Sequence, residues 1–456
     1  MPFGTFDRHD NLTRLGVGTY DVLVIGGGVT GAGVALDAAA RGLRTALVER
    51  DDFASGTSSK SSKLVHGGLR YLQNGDVRLV YEALHERQRL LRNAPHLVKV
   101  LPFLIPVFTG KGGIIPKQLA RALGSAMWMY DLTGGLRIGK IHRRLDAEAA
   151  RAHMPTLGER LSWAYLYYDA QTDDARLTLA LARTAAVDYG ATVVNHAAVS
   201  RLRKDGDRVT GAVVDTGDGQ VEVAARAVVN ATGVWADDVR ALDEGVHPDS
   251  IRPAKGIHIT VPWHKVRNDI AAVVPVPKDR RSVFVVPWPG DDGTVGGPGS
   301  VTYIGTTDTD YPGDVDDPQC TAEDIAYLLG AINHSVTEPL DERDVIGTWA
   351  GLRPLVSDAT STRTADMSRR HRVTTSSSGL VTVVGGKLTT YREMAEDAVE
   401  AAARVIGPDL PWRAGRSRTR NLRLRGAEGW SPDGGDRHLA DRYGGEAAVL
   451  QAMVTA

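Results

Sequence analysis

DVLVIGGGVTGAGVALDAAARGLRTALVER, residues 21–50, holds an apolar run from Val22 to Ile25, three glycines, a small-residue stretch from Val29 to Ala40 and a second apolar run from Thr45 to Val48. The pattern predicts strand, turn, helix, strand. Gly26, Gly28 and Gly31 fit G-x-G-x-x-G in the context that gives the pattern meaning, a short βαβ unit. Gly26 permits the tight turn, Gly28 lets the backbone approach a pyrophosphate, and Gly31 brings helix against strand. The unpaired N–H groups of the helix then face the phosphates, where its dipole favours negative charge. Glu49 ends the second strand about 20 residues on, where a carboxylate accepts hydrogen bonds from an adenosine ribose. That acid disfavours a phosphorylated ribose, so NAD or FAD is expected rather than NADP.

The chain of 456 residues is long enough for two or three domains. Its 54 basic and 55 acidic side chains give a net charge of −1, which excludes a bulk field that attracts nucleic acid. Cys320 is the single cysteine and no Cys/His cluster has metal-ligand spacing, so neither an internal disulfide nor a metal is expected. The first residues lack a signal-peptide core and no run approaches membrane-spanning length, so a cytoplasmic protein is predicted.

Outward from the glycine turn, residues 51–76 form a Ser/Thr-rich loop closing in His-Gly-Gly-Leu-Arg-Tyr, of the kind that packs on a planar cofactor. Residues 76–93 predict an amphipathic helix with Val80, Leu84, Leu90 and Leu91 on one side and Glu82, Glu86 and Arg89 elsewhere. Residues 99–144 carry eight Lys/Arg against one acid, Asp131. Within them a helix starting at Pro116 and ending in Trp128, Met129 and Tyr130 suits an anionic membrane surface and equally a core-facing helix with a solvated basic side. A helix ended by Gly190 and several alternating strands follow, one leaving through Ala231-Thr232-Gly233. Thr321 and Asp324 form a capping box. The strand 380–384 runs into GGKLTTYR, a second glycine turn opening a helix, with Thr389 and Thr390 beside free N–H groups. Residues 411–425 read as a solvated linker and 438–453 as one terminal helix.

Together these blocks resemble the FAD-dependent, quinone-linked glycerol-3-phosphate dehydrogenase family, within the D-amino-acid-oxidase-like flavoproteins. The matching stretches are VIGGGVTGAG at 24–33, GTSSKSSKLVHGGLRYL at 56–72, YDAQTDDARLTLA at 168–180, VVNATGVWAD at 228–237, KGIHIT at 255–260, IGTTDTDYPGD at 304–314, WAGLRPL at 349–355 and GGKLTTYREMAE at 385–396. The expected fold is α/β: a Rossmann-like FAD-binding domain (18–75, 150–240 and 345–405) interleaved with a substrate or cap domain on an antiparallel sheet (76–149 and 241–344). Residues 406–456 are expected to be a linker and the start of a truncated or shortened helical C-terminal domain.

The resemblance implies oxidation of sn-glycerol 3-phosphate to dihydroxyacetone phosphate, with FAD taking a hydride and passing electrons to a quinone. It implies peripheral contact with the inner face of the cell membrane and leaves a homodimer open. A dianionic phosphate needs cations, for which Arg70 and Arg353 are first choices, with Tyr71 and Lys255 beside them. His258 is the candidate general base, His66 its competitor, and Lys387 a group to stabilise charge on the substrate oxygen. The residues expected to hold FAD are Gly26, Gly28, Gly31, Glu49, Arg50, Thr57, Ser58, Ser62, Lys63, Leu64, Gly233, Gly386, Leu388, Thr389 and Thr390. Two rivals stay open: another flavin oxidase of the same superfamily using oxygen, and a non-catalytic dinucleotide-binding redox sensor.

Overall fold

The computed structural model describes residues 5–68, 76–108, 124–125, 127–135, 138–277, 281–356, 370–410, 414–432 and 436–455. Arg70, Tyr71 and most of the basic helix after Pro116 lie outside the described residues.

The first sheet has five parallel strands in the order Thr192–Val194, Thr45–Val48, Thr19–Ile25, Gln220–Asn230 and Val381–Val384. Arg372–Thr375 adds an antiparallel edge, and the hairpin Ala198–Asp205/Arg208–Asp215 pairs onto Gln220–Asn230. Helix Val29–Ala40 lies where the periodicity predicted it, and only Thr30 escapes burial. Its small residues make that position possible. A Cβ on Gly31 would stand 1.8 Å from the Gly26 carbonyl oxygen, and one on Gly33 2.8 Å from the Tyr391 ring. Alanine-sized neighbours let the helix lodge between the sheet and helix Tyr391–Ile406 with little space lost.

The second sheet has ten strands and is largely antiparallel; its longest path runs from Thr309–Asp310 through Ile251–Pro262, Val301–Gly305, Ser282–Trp288, Ala271–Pro275, Val98–Phe108 and Leu161–Thr172 to Leu64–Val65. Gly347–Val356 pairs with Ile251–Pro262, and Arg143–Asp146 with Leu161–Thr172. Alternate residues point to opposite faces. One face sets Ile257, Ile259, Val283 and Val285 against Leu328 and Ile332 of helix Ala322–Asn333, whose N-terminus carries the predicted Thr321/Asp324 capping box. The other presents Phe103, Tyr167, Phe284, Tyr303 and Trp349.

The expected domain boundaries need correction. Leu64–Val65, Leu161–Thr172 and Gly347–Val356, placed by sequence in the cofactor-binding segments, belong to the second sheet, where the first pairs with the second, the second also with Val98–Phe108, and the third with Ile251–Pro262. Glu86 is also corrected. It is 1% exposed on the packed side of helix Val77–Asn93, where Arg392 (4% exposed) pairs with it at 2.8 Å. The tail is two helices, Arg437–Tyr443 and Ala447–Thr455, parted at Gly444. A Cβ there would stand 1.8 Å from the Gly426 carbonyl oxygen. The stretch read as a solvated linker is tied down by Arg425, which pairs with Asp188 at 2.6 Å and Glu446 at 2.8 Å.

Candidate active site

Gly26 takes φ +105, and a Cβ there would meet the Ala231 carbonyl oxygen at 2.8 Å, so the tight turn and the Ala231-Thr232-Gly233 exit are one close backbone contact. Helix Val29–Ala40 begins at Gly28 with no side chain of that residue capping it. Ser58 instead accepts the Val29 N–H at 2.9 Å, which leaves the helix entrance lined by glycine and a hydroxyl. Glu49 spans the turn, accepting from Gly27 N–H (2.6 Å) and Asp51 N–H (2.8 Å), while burial pushes its carboxyl up. Arg50 pairs with Asp316 at 2.8 Å and lies over the Trp235 ring. A Cβ on Gly233 would meet nothing within 4 Å. An open, glycine-walled helix entrance with a carboxylate beside it fits a pyrophosphate and ribose.

The loop after Glu49 carries this site onto the second sheet. Thr57 donates to the Leu352 carbonyl oxygen at 2.6 Å, and a Cβ on Gly351 would stand 2.4 Å from the Lys60 carbonyl oxygen. Trp349 Nε1 donates to the Ser61 carbonyl at 3.2 Å and Tyr303 to the Ser62 carbonyl at 2.9 Å. Lys63, in the left-handed region at φ +56, pairs with the buried Asp174. Leu64 enters the core as a two-residue strand.

His258 stands at the centre of the aromatic face. Its ring stacks on Trp349 (centroids 4.6 Å apart, planes 9° apart), and its Nε2 lies 2.9 Å from Ser62 Oγ. Burial pushes its pKa down to about 3, with Arg353 and Lys63 adding to the effect, so the imidazole is neutral at physiological pH. Arg353 lies on the same face, its guanidinium over Gly256, where a Cβ would stand 2.7 Å from Nη2. Asp308 at 3.2 Å and Thr306 Oγ1 at 3.2 Å fix the fork.

Lys255 is not with them. Three positions before His258 on one strand, it points to the other face, where Nζ pairs with Asp324 at 2.6 Å and donates to the Gln319 carbonyl at 3.1 Å. Its expected role in substrate binding is corrected to that of a buried structural ion pair.

The second glycine turn closes the site from the C-terminal side. Gly386 takes φ +72, and Leu388, Thr389 and Thr390 form a single turn before helix Tyr391–Ile406. Thr389 and Thr390 do not face solvent. The Thr389 hydroxyl accepts the His66 N–H at 3.1 Å, binding the two motifs together, and Thr390 Oγ1 donates to the Lys387 carbonyl at 3.4 Å. Lys387 is half-buried and close enough to Asp76 to help lower its pKa. His66 meets the Phe284 ring edge-on at 6.0 Å.

Sequence reasoning missed one network. Asp169 and Arg87 form an ion pair closed to solvent, Tyr130 donates to Asp169 at 2.7 Å, and the Gly67 N–H reaches Tyr130 Oη at 3.0 Å. It anchors the His66–Gly68 backbone. The signal was present in Arg87, which lies three residues from both Leu84 and Leu90 and therefore on the apolar stripe of its helix.

A dinucleotide-binding sheet joined to an aromatic face carrying a buried imidazole and a fixed guanidinium defines a nucleotide-cofactor oxidoreductase. The profile of the DAO family, FAD dependent oxidoreductases, matches residues 21–392. A Mycobacterium tuberculosis protein named glycerol-3-phosphate dehydrogenase 2 is 42% identical, the match covering 96% of this chain and 74% of that protein. The human mitochondrial glycerol-3-phosphate dehydrogenase is 41% identical over 97% of this chain and 60% of its own length. The crystal structure of the Bacillus halodurans glycerol-3-phosphate dehydrogenase complexed with FAD is similar with a TM-score of 0.73 and 32% identity, covering 97% of this chain and 79% of that one. The chain belongs to the glycerol-3-phosphate dehydrogenase family of FAD-dependent oxidoreductases, and its cofactor is FAD.

Proposed function

We propose that this protein oxidises sn-glycerol 3-phosphate to dihydroxyacetone phosphate and that its electrons pass to a quinone at a membrane surface. The observation that carries the reading is Arg353 held beside His258 on one sheet face, a fixed cationic fork next to a neutral base. FAD supplies a hydride acceptor when bound. The work left to the chain is to hold the phosphate, orient the secondary alcohol and take its proton.

Arg353 would bind phosphate oxygens, its orientation set by Asp308 and Thr306. Arg70 and Tyr71, which follow His66–Gly68 in the sequence, are proposed as further phosphate ligands. His258 would receive the proton, and Lys387, on the second glycine turn, would face the charge that develops at the flavin end. Gly26, Gly28, Gly31, Glu49 and Ser58 are the residues proposed to hold the adenosine and pyrophosphate.

Membrane contact is supported by Trp128, Met129, Leu132 and Ile141, which are 57, 43, 70 and 46% exposed in a segment that also carries Lys140, Arg143 and Arg144. Among the described residues no helix is long and apolar enough to cross a membrane, so a quinone would be met at the surface. Reduced enzyme mixed with a quinone analogue or with oxygen tests the acceptor. Reoxidation much faster by quinone is expected; faster reoxidation by oxygen would instead mark an oxidase.

A further inference from the structure

His258 is 2% exposed and enclosed on every side that the described residues show. Trp349 covers one ring face, the Tyr303 ring approaches edge-on at 6.1 Å, and a Cβ on Gly305 would stand 2.1 Å from Cδ2. Among the described residues Nδ1 has no hydrogen-bond partner, and Nε2 has one, the half-buried Ser62 hydroxyl at 2.9 Å. A base so enclosed does not touch a substrate oxygen directly. Whatever proton it accepts arrives through the hydroxyl above it.

That hydroxyl is held in place by its own backbone. Tyr303 Oη donates to the Ser62 carbonyl, and Trp349 Nε1 to the Ser61 carbonyl. Ser61 donates through N–H and hydroxyl to Asp174 at 3.0 and 2.6 Å, and Lys63 pairs with the same carboxylate on the other side. The two rings that wall His258 therefore also fix the residue that bonds to it. Preorganisation of this kind places a reacting group without reorganisation cost at the moment of reaction.

We propose that Ser62 is a catalytic residue that relays the proton of the substrate hydroxyl to His258. The inference rests on the alcohol oxidation proposed above and deepens it. The substrate O–H bond breaks as its proton passes to Ser62 Oγ, and the Ser62 O–H bond breaks as its own proton passes to His258 Nε2. Ser62 ends neutral and His258 ends protonated. The adjacent C–H bond breaks with its electron pair leaving as hydride to the oxidised flavin, and the substrate C–O bond becomes a carbonyl. A serine hydroxyl donates and accepts at once, so it can complete this exchange without holding charge. Arg353 and Lys63 disfavour the imidazolium, and a phosphate dianion on Arg353 offsets part of that opposition. The relay thus works best with a phosphorylated alcohol.

The test is rapid mixing of the FAD-loaded enzyme with glycerol 3-phosphate without oxygen, in mixtures of H2O and D2O, for wild type, Ser62→Ala and Ser62→Thr. Two protons in motion predict a curved dependence of the flavin-reduction rate on deuterium fraction in the wild type. Ser62→Ala is expected to slow reduction on the order of 10²-fold with KM and the bound-flavin spectrum kept, and Ser62→Thr to restore most of the rate. A linear wild-type dependence, or Ser62→Ala reducing flavin at the wild-type rate, would overturn the relay. If Ser62→Ala fails to hold FAD, the wild-type curve decides alone. A wild-type flavin that is not bleached at all overturns the alcohol oxidation itself, a result distinct from a bleached flavin with a linear dependence.

Discussion

Lys255 and His258 are both buried polar residues of the strand Ile251–Pro262, three positions apart, and the pleat sends them to opposite faces of one sheet. On one face Lys255 meets Asp324 at the start of helix Ala322–Asn333, and the two charges satisfy each other. On the other, His258 meets a hydroxyl, two aromatic rings and a guanidinium fixed over Gly256, and one of its nitrogens has no partner among the described residues. Burial alone therefore does not mark function. A buried charge with its counter-charge holds the fold together, whereas a buried base left unsatisfied beside a cationic fork is arranged for a ligand.

The sharpest way to break this contrast is to remove the imidazole. His258→Gln is expected to slow anaerobic flavin reduction on the order of 10³-fold while FAD stays bound. Rapid mixing reads the rate, and a wild-type value would remove His258 from the chemistry. Lys255→Met should act on the fold. It strands the Asp324 carboxylate, and a loss of about 3 kcal/mol in denaturant unfolding is expected with kcat and KM of the folded enzyme unchanged. The double variant Lys255→Met/Asp324→Leu should recover most of that stability. A shifted KM in either variant would return Lys255 to the substrate site.

Arg353→Ala removes a charged contact to the proposed phosphate worth about 1.5–3 kcal/mol in all, so KM for glycerol 3-phosphate should rise roughly tenfold to a hundredfold. Steady-state kinetics check it, with the flavin spectrum as control. The last effect is on pH dependence. His258 is held down at about 3 in the folded protein against an ordinary value of 6.5, so between those limits the unfolded chain binds a proton that the folded one does not. Stability falls as pH drops through that window, by up to about 1.4 kcal/mol per pH unit from this group. His258→Gln should flatten that part of the profile; Lys255→Met should not.

The glycine turn was legible because its constraint is local. Gly26, Gly31 and Glu49 sit within one βαβ unit, and a side chain at Gly31 would clash with the Gly26 carbonyl five residues earlier, whereas the Ala231 backbone that excludes one at Gly26 lies far off in sequence. The face of a strand was less legible. Lys255 and His258 both fall in a motif with polar and apolar residues on either side, and only the helix packed on one face of the sheet shows which of them is outside the site. The Arg87–Asp169 pair was missed because its members lie 82 residues apart and neither belongs to a glycine-rich or phosphate-binding pattern. The Thr389–His66 bond likewise joins residues 323 apart, so the two motif ends were each readable while their contact was not.

The proposed function requires the His258 face to oxidise a phosphorylated secondary alcohol with a flavin. The visible spectrum of the purified FAD-loaded protein, recorded without oxygen before and after adding glycerol 3-phosphate, tests it most directly. The oxidised-flavin absorbance should bleach with this substrate and persist with unphosphorylated glycerol at the same concentration. A spectrum unchanged by glycerol 3-phosphate would contradict it.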